Sequence, residues 1–246
     1  MRTQEKRATR FRSIQTSLIF VIVPVVIISM AVLSLMGYLS SKAIIQTSAG
    51  NEMSQCLSVA MGSIEMSLSN NRMVAETMAR GVEAVQRQAV KGEQTASDWD
   101  AAAYQEILTS FVGSNPETFG GGIWFEPYQY RPEQRYFSPY CMRQNGAVTY
   151  VDNYSLGEGV YYTDQDWYTN AANTTQKSVW SAPYYDEFAQ ISMVTSSAPI
   201  YDETGRLLGV ATADIDLTQM QQMVLSLDVV ANGRAFLIDD TGVYIA

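Results

Sequence analysis

Two aspartates in aromatic settings are the residues of this chain best suited to holding a small cation. The first closes Trp180-Ser181-Ala182-Pro183-Tyr184-Tyr185-Asp186, and the second stands in Gly209-Val210-Ala211-Thr212-Ala213-Asp214-Ile215-Asp216-Leu217. Upstream lies Tyr161-Tyr162-Thr163-Asp164-Gln165-Asp166-Trp167-Tyr168, and the apolar run Ile191 to Ala198 sits between the two aspartate segments. Ring faces attract cations and carboxylates accept their N–H groups, so an aromatic wall with two aspartates has the composition of a pocket for a small cation or hydrogen-bonding solute. The period-two rule puts Ala211, Ala213 and Ile215 on one face of the last strand and Val210, Thr212 and Asp214 on the other. A carboxylate thus ends the polar face. For each of these residues taken singly a structural role competes, because Tyr and Trp are common in β-rich cores and an Asp beside a turn is usually a cap. For Asp202, Asp239 and Asp240, next to Thr-Gly turns, the turn role wins.

Composition removes several other chemistries. The chain has no histidine, which takes away the commonest metal ligand and the commonest general base. Cys56 and Cys141 are the only cysteines, too few for a disulfide framework or a zinc site, and both are expected to be buried thiols. No metal and no cofactor is expected. The net charge is −9, and residues 1–12 carry Arg2, Lys6, Arg7, Arg10 and Arg12 against Glu5 alone, so the remainder is more acidic still. With no basic patch to meet phosphates, nucleic acid is excluded as a partner.

The elements that must position these residues begin with an uncharged run, Ser13 to Ser41. Its densest part, Leu18 to Leu39, exceeds the roughly 20 apolar residues that cross a bilayer and is longer than a secretory signal's apolar region. Arg2, Lys6, Arg7, Arg10 and Arg12 precede it against the single Glu5, while Lys42 alone follows closely. That bias keeps residues 1–12 in the cytoplasm, makes 13–41 a transmembrane helix and exports the rest. Pro24 is tolerable inside such a helix.

From Lys42 to Lys91 there is no proline, and Met53, Leu57, Met61, Ile64 and Leu68 recur at steps of three and four, as do Met78, Val82 and Val85. This predicts one long amphipathic helix over residues 42–91, interrupted at most by Gly50, Gly62 or Gly81, whose methionine-rich stripe is core or the seam of a homodimer. The seam is the reading adopted. A polar turn, Gly92 to Ser97, leads to a second helix, Asp98 to Val112, with Asp98 as N-cap. Beyond Gly113 the period becomes two, with strand-like runs at Gly122–Glu126, Arg135–Ser138, Ala147–Tyr150, Ile191–Ala198 and Leu207–Ile215. A tyrosine-rich excursion, Val151 to Gln190, holds a short helix at Trp167–Asn173, and an insertion of that length is usually functional. Pro199 to Gly205 and its following strand are echoed by Phe236 to Ile245, so a second module is expected to begin at residue 229 and to be cut off at Ala246. The fold class is α+β.

The order of these motifs, with Gly-Gly-Ile-Trp-Phe-Glu-Pro, Asp-Trp-Tyr, Trp-Ser-x-Pro-Tyr-x-Asp and Gly-Val-x-x-x-Asp-Ile, resembles the extracellular double Cache (dCache) sensor domain of bacterial receptors. The N-terminal style is similar to methyl-accepting chemotaxis receptors. The resemblance implies a membrane-distal PAS-like ligand-binding module over residues 92–228 and a membrane-proximal module starting in 229–246. It also implies that Trp167 and Tyr168, Tyr184 and Asp186, and Asp214 fall on the family's ligand-binding positions, with Tyr161 or Tyr162 as the first tyrosine. Gln165 stands where amino-acid-binding members carry an arginine, the fork that grips a carboxylate. An amine, or a nucleobase-like solute that Gln165 hydrogen-bonds, therefore becomes the expected ligand in place of an α-amino acid.

The function expected is that of a chemoreceptor's sensing part, not an enzyme, anchored in the cell membrane and paired with itself through the long helix. The alternative attaches the same sensor to a histidine kinase, diguanylate cyclase or phosphatase. An exported glycosidase using Glu126, Asp186 and Asp214 is a third reading. The membrane helix running into a long helix, the motif order and the small size argue against it.

Overall fold

The computed structural model describes residues 14–91, 101–151, 154, 159–227, 234–238, 242 and 244–245, and the chain divides between Gln55 and Cys56 into two compact units. One helix, α1, runs Ile14–Lys91 with Pro24 inside it, so none of the three glycines ends it. In the first unit its apolar side chains from Leu18 to Ile45 are exposed. The helix is long and apolar enough to cross a membrane, its most apolar window having a mean hydropathy of 3.0 with none of it buried. The tail of residues 1–12, the Gly92–Ser97 turn and the proposed cap Asp98 lie outside the described residues.

In the second unit α1 turns one stripe inward. Ile64, Ser67, Asn71, Val74, Ala75, Met78, Ala79 and Val82 are buried at steps of three and four. The predicted stripe divides here: Ile64 is buried and Leu68 is half-buried, while Met53, Leu57 and Met61 are exposed in the single chain. A second helix, α2 (Ala101–Ser114), ends later than expected and buries Tyr104, Leu108 and Val112, one residue per turn.

The sheet is antiparallel throughout. Its strands are β1 (Gly120–Phe125), β2 (Tyr140–Gln144), β3 (Ala147–Val151), β4 (Val179–Trp180), β5 (Tyr184–Asp186), β6 (Ile191–Tyr201) and β7 (Leu207–Asp216). They lie in the order β3-β2-β1-β7-β6-β4, with β5 also paired to β6. The run Arg135–Ser138, expected as a strand, is not one. It lies extended beside β1, where Phe137 and Pro139 accept bonds from the N–H groups of Phe125 and Ile123. Pro139 has no N–H to return, so a regular ladder starts only at Tyr140, in a strand that the sequence pattern did not reveal.

The excursion after β3 holds more structure than one helix. It contains a 3₁₀ turn at Tyr162–Asp164, helix α3 (Asp166–Ala172), β4 and β5. A further helix that was not expected, α4 (Leu217–Leu225), follows β7 and buries Leu217, Met220 and Val224.

Each face of the sheet has its own core. Ile123, Phe125, Cys141, Ala198, Ile200, Ala211 and Ala213 pack against α1 and α2, whereas Trp124, Tyr140, Met142, Met193 and Val210 pack with Tyr162, Trp167 and Tyr168. Both cysteines are free thiols; Cys141 is buried, but Cys56 is only half-buried. Asp202 is a turn former as expected, its Oδ1 accepting from the Thr204 N–H, the Thr204 hydroxyl and the Arg206 N–H, with Gly205 at φ +82°. Near the C-terminus Ile238 bridges Tyr244 antiparallel. Val229, Asp239 and Asp240 fall outside the described residues.

Candidate ligand-binding cleft

The polar face of β7 becomes the floor of a cleft. Asp214 and Thr212 point to the side opposite α1, as period two required, and Trp124 of β1 donates its indole N–H to Thr212 Oγ1 at 2.8 Å. Asp214 is buried and holds two hydroxyl donors, Tyr140 on Oδ2 at 2.6 Å and Thr195 on Oδ1 at 2.8 Å. Because Thr195 spends its proton on Asp214, the Tyr184 hydroxyl at 2.7 Å must donate to Thr195. The second carboxylate, Asp186, closes β5. Its Oδ1 accepts from the Tyr154 hydroxyl at 2.5 Å and from the Ala189 N–H at 2.7 Å.

Trp167 of α3 covers this group, its ring centroid 4.8 Å from that of Trp124. The space left between the side chains is about 10 Å³, enough for one water-sized group. Two carboxylates and no lysine or arginine occur among the described residues that line it.

Burial sets the electrostatics. It pushes the Asp214 carboxyl up to about 7, opposed by the hydrogen bonds from Tyr140 and Thr195 and reinforced by the charge of Asp186. Burial also carries the phenols of Tyr140, Tyr154 and Tyr184 well above their ordinary range, so all three stay neutral donors. Such a site can neutralise a cation or accept several N–H bonds. Among the described residues no group of three or more His, Cys, Asp or Glu is placed to hold a metal ion.

Of the residues singled out from sequence, Trp167, Tyr184, Asp186 and Asp214 meet in the cleft. Tyr168 does not line it. Neighbouring helix residues diverge, and its hydroxyl turns to Glu126 Oε1 at 2.7 Å, beside a separate open groove of about 570 Å³ that also meets Arg206. Tyr162 is buried behind the cleft, donating to the Phe125 carbonyl at 2.5 Å, while Tyr161 is exposed. Gln165 stands just before α3 with its amide turned to the Tyr161 carbonyl at 3.4 Å, so the solute contact expected of it has no support in the geometry. Trp124, Tyr140, Tyr154, Thr195 and Thr212 line the cleft and were not singled out. A pair of glycines in β1 was the available signal for Tyr140.

Comparison with known proteins places the domain that holds the cleft. Residues 104–222 match the family described as methyl-accepting chemotaxis protein-like, first PDC sensor domain. This stretch is a PDC sensor domain. The match spans α2 through most of α4 and bears out the resemblance to Cache sensors. The chain is similar to the methyl-accepting chemotaxis protein McpC of Bacillus subtilis, 38% identical over 84 residues, covering 34% of this chain and 13% of McpC. It is also similar to McpA of Pseudomonas putida, 26% identical over 196 residues, covering 77% of this chain and 30% of McpA. The chain therefore spans less than a third of either receptor.

Solved structures share the fold of the PDC domain. The extracellular domain of the histidine kinase mmHK1S-Z2 matches with TM-score 0.59 and 22% identity, over 74% of this chain and 66% of that one. The sensory domain of the Campylobacter jejuni chemoreceptor Tlp3 matches with TM-score 0.58 and 16% identity, over 82% of this chain and 72% of that one. The same domain with isoleucine bound gives TM-score 0.57 and 18% identity, over 83% and 72%.

Proposed function

We propose that this chain is the sensing part of a bacterial chemoreceptor, and that the cleft beneath Trp167 takes a small amine. α1 anchors it in the cell membrane with residues 1–12 in the cytoplasm and the PDC domain outside. Two copies pair along the exposed half of the helical stripe, and a homodimer of this kind gives a bound solute two receptor states to discriminate. The protein acts by binding and not by turnover.

One observation carries the ligand class: Asp186 and Asp214 converge on a site with no cationic side chain among its described lining residues. The amino group of an amine finds carboxylates there. The carboxylate of an α-amino acid such as the isoleucine bound by Tlp3 finds no guanidinium. With Gln165 turned away, a nucleobase has lost the side chain that would have read its edge.

The test is calorimetric titration of the full chain in lipid nanodiscs with ethanolamine, isoleucine and adenine. Ethanolamine is expected to bind most tightly, and Asp186→Ala and Asp214→Ala should each weaken it by roughly tenfold to a hundredfold, the worth of one charge-assisted hydrogen bond. Tighter binding of isoleucine would remove the amine assignment.

A second output is favoured by one observation. The extracellular domain of mmHK1S-Z2 shares the fold, so the same sensor architecture is compatible with a catalytic partner in place of a chemotaxis signalling domain. The gene sequence that continues this reading frame distinguishes the two.

A further inference from the structure

Tyr140 reaches Asp214 by crossing the strand that separates them. β1 lies between β2 and β7, with Tyr140 opposite Gly122 on one side and Asp214 opposite Gly120 on the other. The phenol lies across β1, and its hydroxyl meets the carboxylate at 2.6 Å. Two missing side chains make the room. A methyl group on Gly120 would overlap the Tyr140 hydroxyl and come within 2.6 Å of its Cζ, and one on Gly122 would stand 2.9 Å from its Cδ2. Neither glycine has a positive φ, so space and not backbone conformation is what they supply.

The crossing phenol fills the part of the cleft that faces Asp214. Its ring is 4.7 Å from Tyr154 and 5.7 Å from Trp124, and it is only 2% exposed. Two aspartates among aromatic rings would by themselves suit a methylated ammonium, which ring faces hold by cation–π attraction. The remaining 10 Å³ does not. A primary ammonium is close to a water molecule in size and has three N–H donors, matched here by carboxylate oxygens of Asp214 and Asp186 and the hydroxyl oxygen of Tyr184. A trimethylammonium group is several times larger and donates no N–H bond.

We propose that Tyr140, admitted by Gly120 and Gly122, is the specificity-determining residue of the cleft, restricting the group beside Asp214 to a primary ammonium and rejecting quaternary ones. The proposal rests on the amine reading above and sharpens it. Ethanolamine and choline test it, because they share a skeleton and differ only in the three N-methyl groups.

The full chain in nanodiscs is titrated with each by calorimetry. The parent protein should prefer ethanolamine by at least about tenfold. Tyr140→Phe keeps the ring and should keep that preference; Tyr140→Ala, verified as folded by circular dichroism, should narrow the preference about tenfold or invert it. Parent protein that binds choline as tightly as ethanolamine overturns the proposal whether or not Tyr140→Ala folds. A preference that survives in folded Tyr140→Ala overturns the role of Tyr140 and leaves the amine reading standing. Parent protein that binds neither amine overturns both together.

Discussion

Ser178 donates its hydroxyl proton to Glu76 across 2.6 Å, although the two residues are 102 positions apart in the chain. Glu76 belongs to α1 and Ser178 leads into β4. β4 pairs with β6 at Ser196 and Ser197, and just beyond it Ser181 exchanges bonds with Thr195, whose hydroxyl rests on Asp214. A continuous run of hydrogen-bonded segments thus joins the cleft to the long helix.

Breaking its outer link should be felt at both ends. Ser178→Ala and Glu76→Ala are each expected to lower unfolding free energy by about 1 to 2 kcal/mol, and the double variant should cost clearly less than the sum. Urea unfolding of the four proteins of this cycle measures the coupling; strict additivity would show that the bond contributes nothing.

Asp214 gives the domain a pH dependence with a definite sign. Burial raises its carboxyl from its ordinary value of 3.8 to about 7, with Asp186, Tyr140, Tyr154, Tyr184 and Thr195 around it. Between those values the folded state holds the proton that the unfolded state has released, so this group's contribution to stability is largest below about pH 4 and falls as pH rises to about 7. Asp214→Asn should flatten that part of the stability profile. Affinity for an amine should move the opposite way, rising up to tenfold per unit as pH approaches 7 and levelling beyond it, since the cation prefers the ionised carboxylate. Calorimetry across pH 5 to 8 reads both trends.

Topology is accessible to thiol labelling in intact cells. With Cys56 and Cys141 replaced, a cysteine among residues 1–12 should resist an impermeant maleimide, while one at exposed Tyr185 should react. Labelling of the tail would reverse the orientation.

The helical stripe separates core from seam. Met53, Leu57 and Met61 are exposed in the single chain and Ile64 is buried. Cysteines at the first three should cross-link between copies in membranes, and one at Ile64 should do so poorly. Absence of cross-linking at all three would remove the pairing along this face.

Periodicity made much of the fold legible. β1, β3, β6 and β7 and the two faces of β7 follow from alternation, and the buried stripe of α1 follows from steps of three and four. Alternation failed at Arg135–Ser138 because it cannot see that Pro139 withholds a ladder donor. The cleft was half legible. Trp167, Asp186 and Asp214 stand in short motifs, whereas Tyr140 and Thr195 reach Asp214 only through strand register, a property of paired strands and not of spacing along one. Tyr168 was paired with Trp167 by resemblance alone, and as its neighbour on a helix it turns its hydroxyl to Glu126 instead.

The far end of β6 bears on how such a protein stays monodisperse while it folds. Beyond β4 the strand has no strand partner on its outer side among the described residues, yet Pro199 there offers no N–H, its carbonyl accepts from Arg80 at 2.9 Å, and the Tyr201 N–H is taken by Glu83 at 3.0 Å. Arg80 and Glu83 are themselves paired at 2.8 Å, so α1 lays an ion pair along an otherwise open margin. A stray extended chain meets no vacant donor or acceptor at these two positions, and this margin is closed to intermolecular strand addition there by the helix that crosses it.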